Sequence, residues 1–120
     1  MNDKINYYLN SLAKSKFRSS FHLKNKDFEY IKKVGILKIK EHAHAFINER
    51  LAPAVIPNDG HQTPMRNHPV FIAQHATATC CRSCLNKWYK IPKDRLLTDQ
   101  ETTFIIDLIM AWINKEINNQ

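Results

Sequence analysis

Three cysteines, Cys80, Cys81 and Cys84, stand within five residues of one another in the stretch "HATATCCRSC" that runs from His75 to Cys84. They are all the cysteines of the chain. Thiolates and imidazoles this close together are donors for a transition metal, and a thiolate beside an imidazole is a nucleophile with its base. On a helix that begins at Cys80, the pairs Cys80/Cys84 and Cys81/Cys84 are four and three residues apart, so each pair shares a face. The positive end of that helix and the neighbouring Arg82 both favour thiolate over thiol. The pattern predicts a zinc-type site. Cys81 and Cys84 are the firmest ligands, then His75, then Cys80 or His68, with His61 and His42 as further sources of a fourth ligand.

The signal is weaker than a paired Cys-x-x-Cys motif, so two other readings stay open. Cys81 and Cys84 can be small buried hydrophobes. Alternatively, Cys80 can be a catalytic thiol with His75 as its base, and Arg66 and Arg82 can then hold an anionic substrate. A disulfide framework does not fit an odd cysteine count, and adjacent Cys80 and Cys81 cannot be bridged without strain. If four protein ligands close the metal site it is structural; if three do, water completes it and hydrolysis becomes available.

The elements that position these groups are helical. Ile5, Tyr8, Leu9 and Leu12 recur at helical spacing and predict a helix over residues 5–16. Asp27 can cap a second helix through Val34, with Gly35 at its end. Ile36, Ile39, Ala43, Phe46, Ile47 and Leu51 share one face of a third helix, which Pro53 stops. On that helix His42 and His44 point about 200° apart and cannot share an ion; His42 borders the apolar face. Residues 52–69 hold four of the five prolines and a Pro57-Asn58-Asp59-Gly60 turn, so they predict a long ordered coil. "VFIAQ", residues 70–74, reads as a short extended segment, and a helix from about Cys80 to Tyr89 follows. Thr98-Asp99-Gln100-Glu101 is a capping box. It opens a long helix to about Asn118 whose apolar residues cover nearly its whole girth, as expected of a buried central helix. Asp107 interrupts that girth, either facing outward or orienting a histidine. The expected fold is one mainly α domain of about five helices, with at most a short strand pair. Its parts are a basic helical segment (1–51), the coil and His/Cys cluster (52–84), and the C-terminal helices (80–118).

The 120 residues suit a single domain, and two glycines leave no room for a nucleotide-binding glycine loop. The net charge of +7 lies in residues 1–40, where ten Lys/Arg face three acids; residues 41–120 are balanced. That asymmetry predicts either a solvated lysine surface or attraction to nucleic acid phosphates without base readout. There is no apolar leader, and the longest apolar run is about half the ~20 residues of a membrane span, so a cytoplasmic, membrane-free protein with reduced thiols is expected. The oligomeric state is open.

Zinc nucleobase deaminases combine His-x-Glu on one helix with Cys-x-x-Cys at the start of another. His42 and Cys81-x-x-Cys84 are similar to that layout. However, position 44 is His instead of the proton-shuttling Glu, and residues 85–120 read as helix where that fold needs strands.

The block "RLAPAVIPNDGHQTPMRNHPVFIAQHATATCCRSCLNKWYKIPK" resembles the centre of a family of short bacterial proteins known only as a domain of unknown function, DUF4186. The likeness runs from about Phe17 to Trp112. Its carriers are the Asn-Asp-Gly turn, the Gln-Thr-Pro-Met-Arg run and the His-Ala-Thr-Ala-Thr-Cys-Cys segment. The resemblance leads one to expect Gly at position 67 and His at position 89, where this chain has Asn67 and Tyr89. It implies no activity or cofactor, but it marks residues 57–84 as one unit.

Overall fold

The computed structural model describes residues 3–120. Six α-helices follow in order: α1 (Asp3–Ala13), α2 (Asn25–Val34), α3 (Ile36–Arg50), α4 (Pro69–Ala76), α5 (Arg82–Tyr89) and α6 (Asp99–Asn118), with a 3-10 turn at Arg18–Ser20. No strand occurs among the described residues. The mainly helical expectation holds, with one helix more than the five expected.

The extra helix is α4, and it replaces the expected extended segment at "VFIAQ". All eight of its residues are buried. A helix enclosed on every side needs no polar face, so its sequence is a plain apolar run whose periodicity cannot distinguish helix from strand. His68 caps its start: Nδ1 accepts the Val70 N–H at 3.0 Å, and Pro69 occupies the first turn.

The second buried helix is α6. Thr98 and Glu101 form the expected capping box, with the Glu101 N–H donating to Thr98 Oγ1 at 3.0 Å and the Thr98 N–H to Glu101 Oε1 at 2.9 Å. Its Ile105, Ile106, Leu108, Ile109, Met110 and Ile113 are buried. One side of α6 packs on α3 and α4, while Leu108 meets Ile5 and Leu9 of α1. Asp107 is exposed. No helix among the described residues is long and apolar enough to cross a membrane.

Gly35 turns α2 into α3 with φ 89°, a left-handed conformation that glycine adopts without a Cβ penalty. Asp27 accepts the Lys24 N–H at 2.9 Å as the returning arm of a cap. Asn67 also has a left-handed backbone, at φ 87°. That accounts for the glycine expected there: Asn is among the few other residues that tolerate this region. The nine lysines of residues 1–40 are all exposed, and the one arginine among them, Arg18, is buried.

Residues 51–68 form the expected coil, held down by polar contacts. Arg82, the first residue of α5, is buried and donates to four carbonyls: Leu51 (3.2 Å), Pro53 (3.0 Å), Pro92 (2.7 Å) and Arg95 (2.8 Å). This ties the start of the coil to the loop between α5 and α6.

The central position of α6 gives a contrast between neighbours. Ile109→Ala is expected to cost about 2–5 kcal/mol, the range for a large aliphatic truncated in a close-packed core. Asp107→Ala, on the exposed side, is expected to stay within about 0.5 kcal/mol. Urea unfolding of both variants measures this.

Candidate metal centre

The path into the cysteine cluster is a buried, hydrogen-bonded turn. Thr77 Oγ1 donates to the Ala73 carbonyl at 2.7 Å, and the Thr77 and Thr79 hydroxyls pair at 3.0 Å. Gln74 Nε2 donates to the Thr79 carbonyl at 3.0 Å, and Thr63 Oγ1 donates to the Cys80 carbonyl at 2.8 Å. The Tyr89 hydroxyl donates to the Thr77 carbonyl from the far end of α5. Ala78 is left-handed at φ 57°, which costs a non-glycine residue roughly 1–2 kcal/mol. These bonds hold that turn and set where Cys80 points.

The chain then enters α5 through Cys81, two residues later than the sequence predicts. Cys81 is the N-cap, and its Sγ accepts the Cys84 N–H at 3.4 Å. Cys84 thus lies in the first helical turn, where the helix dipole favours a negative sulfur. The other end of this junction is covered by Asp59 from the coil turn. Its carboxylate accepts the Arg82 N–H (2.9 Å), Gln62 Nε2 (2.8 Å) and the Ser83 hydroxyl, with Lys93 Nζ at 3.5 Å. The Pro57–Gly60 turn is therefore an external cap that clamps the coil onto α5.

The three thiols converge, with all three sulfurs within 4.8 Å of one another. Cys80 Sγ and Cys84 Sγ are 3.7 Å apart. A tetrahedral ion with Zn–S bonds of ~2.3 Å separates its sulfurs by about 3.8 Å. Cys80 and Cys81 are buried; Cys84 is half-buried.

Arg18 completes the cluster. It donates from one terminal nitrogen to the His75 carbonyl (2.7 Å) and toward Cys80 Sγ (3.7 Å), and from the other to Cys84 Sγ (3.2 Å). Among the described residues no carboxylate pairs with it. Burial opposes its charge, but the bonds to Cys80 and Cys84 outweigh that and raise its pKa. The His75 carbonyl and the two sulfurs are its polar partners, and of these only sulfur can take a negative charge, which the guanidinium favours. The Cys84 thiol is held far below its ordinary range by hydrogen bonds from Cys80 and Cys81, with Arg18 adding to them against the cost of burial. Cys80 moves the other way, because it is hydrogen-bonded to Cys81 and Cys84 and buried. Of the three sulfurs, Cys84 is the one that Arg18 and the start of α5 favour as the anion.

The histidines lie elsewhere. His75 is buried and stacked on Phe21 (5.5 Å), and its Nε2 lies 3.1 Å from both the Thr63 and Pro64 carbonyls. Carbonyls only accept, so that nitrogen carries the proton. His68 caps α4 and faces His42, with His68 Nε2 3.0 Å from His42 Nδ1. Burial and then His42 hold His68 at about 4. Since Nδ1 of His68 accepts the Val70 N–H, its Nε2 carries the proton and donates to His42. His75 and His68, the first two of the four histidines the sequence offers as ligands, are thus engaged with backbone. His61 and Arg66 are exposed on the coil, and the Arg82 guanidinium is occupied by carbonyls. Arg18, which contacts two of the sulfurs, is absent from the site residues the sequence suggests.

A profile of the family described as a domain of unknown function (DUF4186) matches residues 6–114. The chain belongs to that family. No solved structure matches it. The family match spans every part of the cluster, from Arg18 on the N-terminal segment to Cys84 on α5.

Hydrogen bonds, chiefly those from Ser83, Gln62 and the Arg82 N–H, hold Asp59 at about 2 against the cost of burial. A carboxylate with a depressed folded pKa stabilises fully above its unfolded value, and the gain is lost as pH falls through the folded one. Docking of the coil turn on α5 is therefore expected to weaken from about pH 4 towards about pH 2. Asp59→Asn is expected to remove that pH dependence while lowering stability at pH 7. Acid titration followed by amide exchange at residues 58–62 checks it.

Proposed function

We propose that this domain is a zinc-site protein in which Cys80, Cys81 and Cys84 supply three thiolates and the fourth place is open to solvent or a small ligand. The observation that carries the reading is Arg18, a buried cation with no carboxylate partner among the described residues and with two of the three sulfurs on its fork. Three thiolates and a divalent ion sum to one negative charge, and the guanidinium neutralises it. The spacing of Cys80 and Cys84 matches a tetrahedral edge, and Cys84 is reachable from outside. Zinc fits a sulfur-rich set of this size and would supply Lewis acidity at an open position.

The chain's own residues have separate tasks here. Cys81 holds the start of α5, and the Thr77–Thr79 turn aims Cys80. Arg18 brings the N-terminal segment to the site and lowers the cost of gathering negative sulfurs. Asp59 fixes the coil against the same junction. Binding would draw together the coil, α4, α5 and the N-terminal segment, so its free energy would also be folding free energy.

Elemental mass spectrometry on untagged, reduced protein tests the reading. About one zinc per chain is expected, lost in the Cys81→Ala/Cys84→Ala variant. No metal in freshly purified reduced protein contradicts it.

Arg18→Met keeps much of the side-chain volume and removes the charge. It is expected to weaken zinc affinity about 10–100-fold, as loss of an outer-shell partner does, while Arg18→Lys recovers part of that. Chelator competition measures both. Unchanged affinity in Arg18→Met would show that the guanidinium is not the site's counter-charge.

A further inference from the structure

The same three sulfurs are arranged for a second chemistry. They are unequal in access: Cys84 is half-buried and meets solvent, while Cys80 and Cys81 are 8% and 5% exposed. An oxidant therefore meets Cys84 first. Cys84 is also in the first turn of α5, with an Arg18 nitrogen 3.2 Å from its sulfur, the electropositive setting that makes a cysteine reactive. Cys80 Sγ lies 3.7 Å from Cys84 Sγ. A disulfide of ~2.05 Å needs these two sulfurs to close by about 1.7 Å. Cys80 precedes the helix, so its backbone is not locked in the helical ladder. Cys81 is a poorer partner, because its sulfur is committed to the Cys84 N–H.

We propose that Cys84 and Cys80 form an oxidation site for hydroperoxides, with Cys84 attacking and Cys80 resolving. The Cys84 thiolate attacks the terminal oxygen of the hydroperoxide. An S–O bond forms as the O–O bond breaks, and the departing alkoxide or hydroxide takes a proton from solvent. Cys84 is then a sulfenic acid. The Cys80 thiol attacks that sulfur, the S–S bond forms, the S–O bond breaks, and hydroxide leaves with the Cys80 proton as water. Two electrons pass from the thiols to the peroxide. An external dithiol restores both cysteines by exchange. The disulfide leaves Cys81 as the sole thiolate, so a bound ion is released; this consequence alone rests on the zinc reading above.

The test uses the whole chain, reduced, desalted and assayed for metal, then treated with equimolar hydrogen peroxide. Intact mass, peptide mapping after alkylation, and a chromogenic chelator supply the readouts. The expected result is one Cys80–Cys84 disulfide, a mass loss of about 2 Da, one alkylatable thiol at Cys81, and release of the zinc present at the start. Cys80→Ser is expected to accumulate a sulfenic acid at Cys84 that a cyclic dione traps, and Cys81→Ser to close the same disulfide as the native chain. A disulfide through Cys81, direct passage of Cys84 to the sulfinic acid in the native chain, or thiols no faster than a free cysteine would each overturn the proposal. Zinc-loaded protein inert to peroxide overturns it and leaves the zinc reading standing. Zinc-free protein that still closes Cys80–Cys84 upholds it and overturns the zinc reading.

Discussion

Arg18 carries its charge into the interior with no carboxylate to meet it, and the rest of the site answers that constraint. Its fork reaches one backbone carbonyl and two sulfurs. An exposed ion pair in this position would contribute little. Sulfur is the acceptor beside Arg18 that can carry negative charge, so the guanidinium favours a thiolate there. The sulfur cluster and the docking of the N-terminal segment are therefore one interaction seen from two sides. Phe17 and Phe21 flank it, with the Arg18 guanidinium 5.0 Å from the Phe17 ring and Phe21 stacked on His75.

The segment between residues 51 and 84 is polar where most small domains are greasy. Arg82 binds four carbonyls, Asp59 caps α5 from outside, and Thr63, Gln74, Thr77 and Thr79 bond the turn that precedes the cysteines. A coil this long exposes many backbone groups that must find partners. Here those partners are side chains of the same unit, and that explains why threonine, glutamine and arginine crowd around the cluster. The histidines follow the same logic: His75 and His68 bond to backbone, and the group that could hold an ion among the described residues is the three cysteines.

Much of this was legible from residue order. The capping box at Thr98 and the apolar girth of α6 marked the central helix, and the spacing of Cys80, Cys81 and Cys84 marked convergence. Three features were not. The helix α4 hides because an eight-residue run buried on every face has no period. Arg18 hides because its partners lie 57 to 66 residues away, although it is the lone arginine among nine lysines and so the cation best suited to burial. That Cys84 and not Cys80 lies in the first turn of α5 depended on where the helix begins, and helix ends are the least certain part of any reading from periodicity.

In the proposed site, three sulfurs and one lighter atom would surround a single ion beside Arg18. Zinc-edge X-ray absorption on the metal-loaded protein measures that shell directly. Three sulfur neighbours at ~2.3 Å and one oxygen or nitrogen at ~2.0–2.2 Å are expected. A shell of four sulfurs, or one dominated by nitrogen and oxygen, would place the ion elsewhere and contradict it.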